Sequence, residues 1–215
     1  MGDAMGIVRE VRRDAAIGVG VADTQDGLTA LLRPGCAAAI WRRQPDPAFQ
    51  SWIDGLKPHA LPQARMILRL EDLRRSVADL FDAQQLPESV HSAWLLDDID
   101  RLAQRFIELV PAPFLRLRLN AVTTNSCRKF HIDRVTARLV CTYRGTGTQY
   151  GISTDGAEPQ RIFTVPTGAP IVLRGTLWPD PPASGLLHRS PPIEGTGETR
   201  LILVIDPIFD PDEEF

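Results

Sequence analysis

The stretch KFHIDRVTARLVCTYRG, from Lys129 to Gly145, places a histidine and an aspartate two positions apart, just before a run that reads as a strand. In extended chain successive side chains alternate faces, so His131 and Asp133 can point to the same side, about 7 Å apart along the chain. An imidazole and a carboxylate so placed can take two adjacent positions on a metal ion. A third ligand must come from a remote segment, and His188 is the only later histidine. Two imidazoles and one carboxylate on one side of an ion leave the other side open for a co-substrate and dioxygen, a ligand set suited to Fe(II). Arg200 opens the run TRLILVID, where a guanidinium can hold a carboxylate in bidentate fashion.

The elements that must position these groups change character near Pro111. Before it, apolar residues follow helical spacing. PAFQSWIDGL carries Phe49, Trp52, Ile53 and Leu56, with Asp46 as cap and Pro47 in the first turn. LEDLRRSVADLF repeats the pattern with Leu70, Leu73, Val77, Leu80 and Phe81. SAWLLDDIDRLAQRFIELV gives the clearest stripe, through Leu95, Ile99, Leu102, Phe106 and Ile107, and Pro111 and Pro113 end it. A short strand at AAAIW, Ala37 to Trp41, is also expected.

From Pro113 onward short runs rich in β-branched and aromatic residues alternate with Gly and Pro turns: FLRLRLNAV, TARLVCTYRG, TQYGI, QRIFTV, APIVLRGTLW and TRLILVID. With no helical pattern between them, these strands predict a sandwich or barrel. The fold class expected is α+β. A mainly helical region, residues 1–112, packs on a β-region, residues 113–215, within one structural unit.

Bulk properties narrow the function classes. A formal net charge of -3, with Arg scattered among Asp and Glu, gives no reason to expect a nucleic-acid partner. No apolar run approaches the roughly 20 residues of a spanning helix. The opening MGDAMGIVREVRRDAAIGVG has no apolar core behind a basic start, so no signal peptide is indicated. Three cysteines without a CxxC pair argue against a disulfide framework and for a reducing compartment. A cytoplasmic protein is expected, and its oligomeric state stays open.

HID at 131–133, His188 and Arg200 resemble, in order and spacing, the HxD…H…R signature of the Fe(II)- and 2-oxoglutarate-dependent dioxygenases. The resemblance covers roughly residues 114–206. It implies a double-stranded β-helix, the jelly roll of the cupins, with His131, Asp133 and His188 as iron ligands. It further implies Arg200 on the distal carboxylate of 2-oxoglutarate, with Tyr143 adding a hydroxyl to the same end. The primary substrate is unspecified. Through CRKFHIDRVTARLVCTYRGTGTQYG and LHRSPPIEGTGETRLILVIDP the chain is also similar to a bacterial domain-of-unknown-function family, DUF1826. That family tends to appear beside zinc-homeostasis genes, which implies a metal connection and no established reaction.

Each residue has a rival reading. Cys127, four positions before His131, would favour Zn(II) over Fe(II) if its thiolate joined the site. The second function class is a zinc-binding cupin-like protein of metal homeostasis, with Zn(II) on His131, Asp133 and His188, and the third a β-domain acting by contact alone. Arg189 competes with Arg200 as the pocket cation. Tyr143 shares the parity of His131 and Asp133 only if no bend interrupts the strand. Cys141 reads as barrel filler, Trp178 as pocket wall or core, and His59 and His91 as exposed or capping. GTG at 145–147 and 195–197 reads as turns, because neither precedes a helix or carries GK[ST]. Ser190 lacks the context of a serine nucleophile.

Overall fold

The computed structural model describes residues 14–125 and 127–212. The opening stretch read for a signal peptide lies largely outside them. In chain order the elements are β1 (Gly18–Ala22), β2 (Cys36–Trp41), α1 (Pro47–Gly55), β3 (Ala64–Leu68), α2 (Leu70–Ala83), α3 (Val90–Leu109) and β4 (Phe114–Val122). Then come β5 (Ala137–Arg144), β6 (Gln149–Ile152), β7 (Phe163–Thr164), β8 (Pro170–Arg174), β9 (Leu186–Arg189) and β10 (Arg200–Ile208). The class is α+β.

The helices form where the apolar spacing placed them, and local chemistry fixes their ends. The Asp46 carboxylate accepts from Ala48 N and Phe49 N at 2.7 and 3.4 Å, capping α1, and Pro47 takes the first turn. Ser89 and Ser92 form a reciprocal capping box at the start of α3. Along α3, Leu95, Ile99, Leu102 and Phe106 are all fully buried. Burying a side chain such as Phe106 contributes about 2 kcal/mol before entropy is counted.

Two sheets receive this layer. The larger has the order β1-β2-β8-β5-β10-β4-β3, and the smaller the order β7-β6-β9. An isolated antiparallel bridge between His131 and His188 places His131 beside β9, at the edge of the smaller sheet. Alternation along β5 and β10 separates two cores. Leu139, Cys141, Tyr143, Leu201, Leu203 and Ile205 pack with the helices. Val140 and Ile202 turn the other way, to pack with Ile40, Ile171, Leu173 and Leu186 between the sheets. The helices thus cover one face of the larger sheet, and the smaller sheet covers the other.

The first 112 residues are more than a helical brace. They supply β1, β2 and β3, both edges of the larger sheet among them. β1 was not apparent in the sequence because GVGVA alternates two valines with glycine. A Cβ at Gly20 would lie 2.4 Å from Ala30 Cβ, so that glycine permits close packing of the 3₁₀ segment Gln25–Leu32. Among the described residues no helix is long and apolar enough to cross a membrane.

Candidate metal centre

The site is built by the smaller sheet and by the turn that leads into β5. His131 and His188 exchange backbone hydrogen bonds, each N to the other's O at 3.0 Å. Such a pair puts both side chains on one face, and the ring centroids lie 4.6 Å apart. Nδ1 of His131 sits 2.8 Å from the Lys129 carbonyl. A carbonyl can only accept, so Nδ1 carries the proton and Nε2 is left with a lone pair facing the centre.

Asp133 enters from the turn at 133–136, which is clamped by the residues after β8. Thr176 N donates to Asp133 O at 2.9 Å, Leu177 N to Val135 O at 3.1 Å and Gly175 N to Thr136 O at 2.9 Å. Asp133 Oδ1 lies 3.4 Å from His131 Nε2 and is contacted by Nη1 of Arg138. Asp133 Oδ2 lies 2.9 Å from His188 Nε2 but without the alignment of a hydrogen bond, so this buried oxygen has no hydrogen-bond partner. One donor atom from each of His131, Asp133 and His188 lies within 4.8 Å of the others. Two imidazole nitrogens and a carboxylate oxygen with a free lone pair fit a divalent cation.

The electrostatics suit the same role. Burial opposes ionisation of Asp133, but the close imidazoles of His131 and His188 and the Arg138 charge hold its carboxyl well below the usual carboxylate range. Burial lowers the His188 pKa, favouring the neutral, ligating form. The Asp133 carboxylate beside it raises that of His131.

These groups border a cavity of about 190 Å³ whose wall includes His131, His188, Arg138, Arg118, Val140 and Ile202. Larger hollows, about 430 Å³ at the β6–β7 hairpin and 450 Å³ between α2 and α3, lie away from the cluster.

The other candidates separate sharply. Arg200 is 1% exposed and shares the face of β10 with Ile202 and Val204. Its Nε donates to Thr146 O at 2.6 Å and its Nη2 reaches Thr142 Oγ1 at 3.5 Å. Nη1 is buried with no partner, and no carboxylate among the described residues forms an ion pair with the group. Burial lowers its pKa to about 10. Arg189 stacks on Phe130 at 4.4 Å and donates to Gln149 Oε1 at 2.8 Å. Arg189 also contributes to the lining of the cavity.

Tyr143 is not brought to the cluster. Residues 134–136 bend, which breaks the parity between Asp133 and β5, so Arg138 and Val140 face the cavity. Tyr143 lies on the helix side, fully buried against Phe49 and Trp94, with its hydroxyl donating to Asp98 Oδ2 at 2.8 Å. Cys141 shares that side, and burial pushes its thiol up to about 12. Cys127 is exposed and lines the cavity, but its sulfur is not part of the three-ligand cluster. Trp178 packs against the helix-side core with Arg174 over its ring at 4.5 Å, and is not part of the cavity wall. His91 lies against Trp52, ring centroids 5.8 Å apart.

Sequence reasoning missed Arg138, Asp206 and Arg118. Asp206 is fully buried and accepts from Arg138 Nε at 2.6 Å, Arg138 Nη2 at 2.9 Å and Arg118 Nη2 at 2.8 Å. The available signal was charge inside apolar strands, in ARLVC and LILVID.

Comparison with solved structures gives a likeness of fold. The dioxygenase for auxin oxidation of rice aligns with a TM-score of 0.50 at 15% identity, over 91% of this chain and 84% of that one. The dioxygenase for auxin oxidation 1 of Arabidopsis thaliana, in binary complex with 2-oxoglutarate, gives 0.50 at 11% identity over 93% and 95%. No curated protein matches the sequence. The family described as "Protein of unknown function (DUF1826)" matches residues 22–206, and the chain belongs to that family.

Proposed function

We propose that the protein is a non-haem Fe(II)- and 2-oxoglutarate-dependent oxygenase on a double-stranded β-helix, a single structural unit braced by its helices. Support for the β-helix is the pairing pattern, with β8-β5-β10-β4 in one sheet and β7-β6-β9-His131 facing it. Both auxin-oxidation enzymes, one of them in complex with 2-oxoglutarate, share the general fold.

The observation that carries the reading is Arg200. A buried guanidinium with a spare nitrogen and no ion-paired carboxylate costs free energy unless something supplies the acid. Arg200 supports recognition of the far carboxylate of 2-oxoglutarate, and Thr142, beside it on β5, adds a hydroxyl. His131, Asp133 and His188 would hold the metal through Nε2, Oδ2 and Nε2. The bound ion would supply the activation of dioxygen that drives oxidative decarboxylation of the 2-oxo acid and oxidation of a primary substrate. The protein's own share is geometry: paired backbone bonds fix the two imidazoles, the 175–177 clamp fixes Asp133, and Val140 and Ile202 exclude water.

The alternative is a zinc-binding cupin-like protein whose His131, Asp133 and His188 hold Zn(II); Cys127, its possible extra ligand, is not part of the cluster. The test is anaerobic addition of Fe(II) and 2-oxoglutarate to metal-free protein. A metal-to-ligand charge-transfer band, followed by decarboxylation when air is admitted, is expected. Tight zinc uptake with neither signal would overturn the oxygenase reading.

A further inference from the structure

Asp133 is held by more than the metal centre needs. Its Oδ1 is engaged by Arg138 Nη1, and Arg138 is itself gripped in bidentate fashion by Asp206, with Nε and Nη2 on the two carboxylate oxygens at 2.6 and 2.9 Å. Arg118 reaches the same Asp206. Four charges of alternating sign, Asp133, Arg138, Asp206 and Arg118, therefore run from the cluster across β5 and β10 to β4. The Asp206 carboxylate is fully buried, and the side chains of Asp133 and Arg138 are only 14% and 17% exposed. A guanidinium tied at three nitrogens has little freedom to follow Asp133, so Asp133 must take the orientation Arg138 sets.

Two consequences follow for an ion at the centre. With Oδ1 engaged, only Oδ2 points without a partner toward the imidazoles. A cation behind the ligating carboxylate also offsets the charge that attracts the metal. We propose that Arg138 is a positioning residue that keeps Asp133 a one-oxygen ligand and holds down the centre's affinity for its metal, so that a coordination position stays open for an acidic co-substrate. The inference rests on the reading of His131, Asp133 and His188 as a metal centre.

The proposal predicts opposite signs for two affinities. In Arg138→Gln the repulsion between guanidinium and metal is gone and Oδ1 is free to ligate. Co(II), titrated into metal-free protein, should bind at least about ten-fold tighter. 2-Oxoglutarate, titrated into the Co(II)-loaded protein, should bind at least about ten-fold weaker, because a ligand position is filled and a positive charge lost. Arg138→Lys, which keeps the charge, should return both toward wild type. Should Arg138→Gln fail to fold, the double variant Arg138→Gln/Asp206→Asn removes the buried pair together. It should bind Co(II) no more weakly than wild type while retaining the 2-oxoglutarate defect.

A residue that merely supports the fold would lose both affinities together, and that result overturns the proposal, as does unchanged Co(II) affinity. Wild-type protein that binds no Co(II) removes the metal centre and this inference with it. Wild-type protein that binds Co(II) but not 2-oxoglutarate defeats the oxygenase reading alone, and the Co(II) arm then decides the role of Arg138.

Discussion

Arg200→Met separates an anion anchor from a structural arginine, because the two roles predict opposite effects on the unliganded protein. Burial lowers the Arg200 pKa from 12.5 to about 10, which corresponds to about 3 kcal/mol of cost for keeping the charge inside at neutral pH. Methionine removes that cost and fills much of the same space. Against this, Thr146 O loses the Nε donor at 2.6 Å, a loss of about 1–3 kcal/mol for a buried acceptor. The balance runs from about zero to 2 kcal/mol in favour of the variant, so its melting temperature should hold or rise by up to about 8 °C. The folded-state pKa is depressed, so the cost is present in full below pH 10 and is relieved as pH climbs from 10 toward 12.5; the difference between the proteins should shrink over that window. With 2-oxoglutarate the order reverses. Two charge-assisted hydrogen bonds are lost, and affinity should fall at least about 100-fold with metal content unchanged. Differential scanning calorimetry of metal-free protein and anaerobic titration of the charge-transfer band measure the two effects. A variant that melts several degrees lower and still binds 2-oxoglutarate would show that Arg200 holds the fold and not the acid.

Substitutions elsewhere separate the groups that support the site from those that support the fold. A Cβ at Gly175 would lie 1.8 Å from Val135 O and 2.9 Å from Asp133 O, so Gly175→Ala should push the Asp133 turn out of place. Equilibrium dialysis should show metal affinity reduced about ten-fold or more, while Gly55→Ala, with nothing within 4 Å of its Cβ, leaves it unchanged. His188→Ala removes one of the three proposed ligands and should cost more than the roughly 10–100-fold typical of groups behind the ligands, read by elemental analysis of dialysed protein. Asp98 accepts from both terminal nitrogens of Arg43 at 2.6 Å and from the Tyr143 hydroxyl. Asp98→Ala should therefore destabilise by about 3–5 kcal/mol in denaturant titration with metal affinity intact, because that network lies on the opposite face of the sheet.

What the sequence disclosed followed from period and chemistry. Three helices were legible because Phe49–Ile53, Leu73–Val77–Phe81 and Leu95–Ile99–Leu102–Phe106 repeat at 3.6-residue spacing, and α1 and α3 are capped by the adjacent Asp46 and Ser89. His131 and Asp133 were legible as a pair because two positions in extended chain share a face. β9 is only four residues long, too short for alternation to mark it, although it carries His188.

The misplacement of Tyr143 shows where such reasoning stops. Counting parity from Asp133 assumes an unbroken strand, and the bend at 134–136 shifts the count by one, so Arg138 faces the cavity where Tyr143 was expected to. Nothing in the residues Arg134–Val135–Thr136 announces that bend. It is imposed from outside, by Gly175, Thr176 and Leu177 donating to the carbonyls of the turn. The shift that removes Tyr143 from the site is the shift that brings Arg138 against Asp133. Asp206 was visible as a lone acid in LILVID, but its choice of Arg138 and Arg118 depends on the order of β5, β10 and β4, which no local pattern encodes. The candidate ligands can therefore be read from spacing, whereas the charges packed behind them follow from sheet order. A related chain that keeps HxD and the distal His but lacks the positive charge at position 138 should hold its metal more tightly and its co-substrate less.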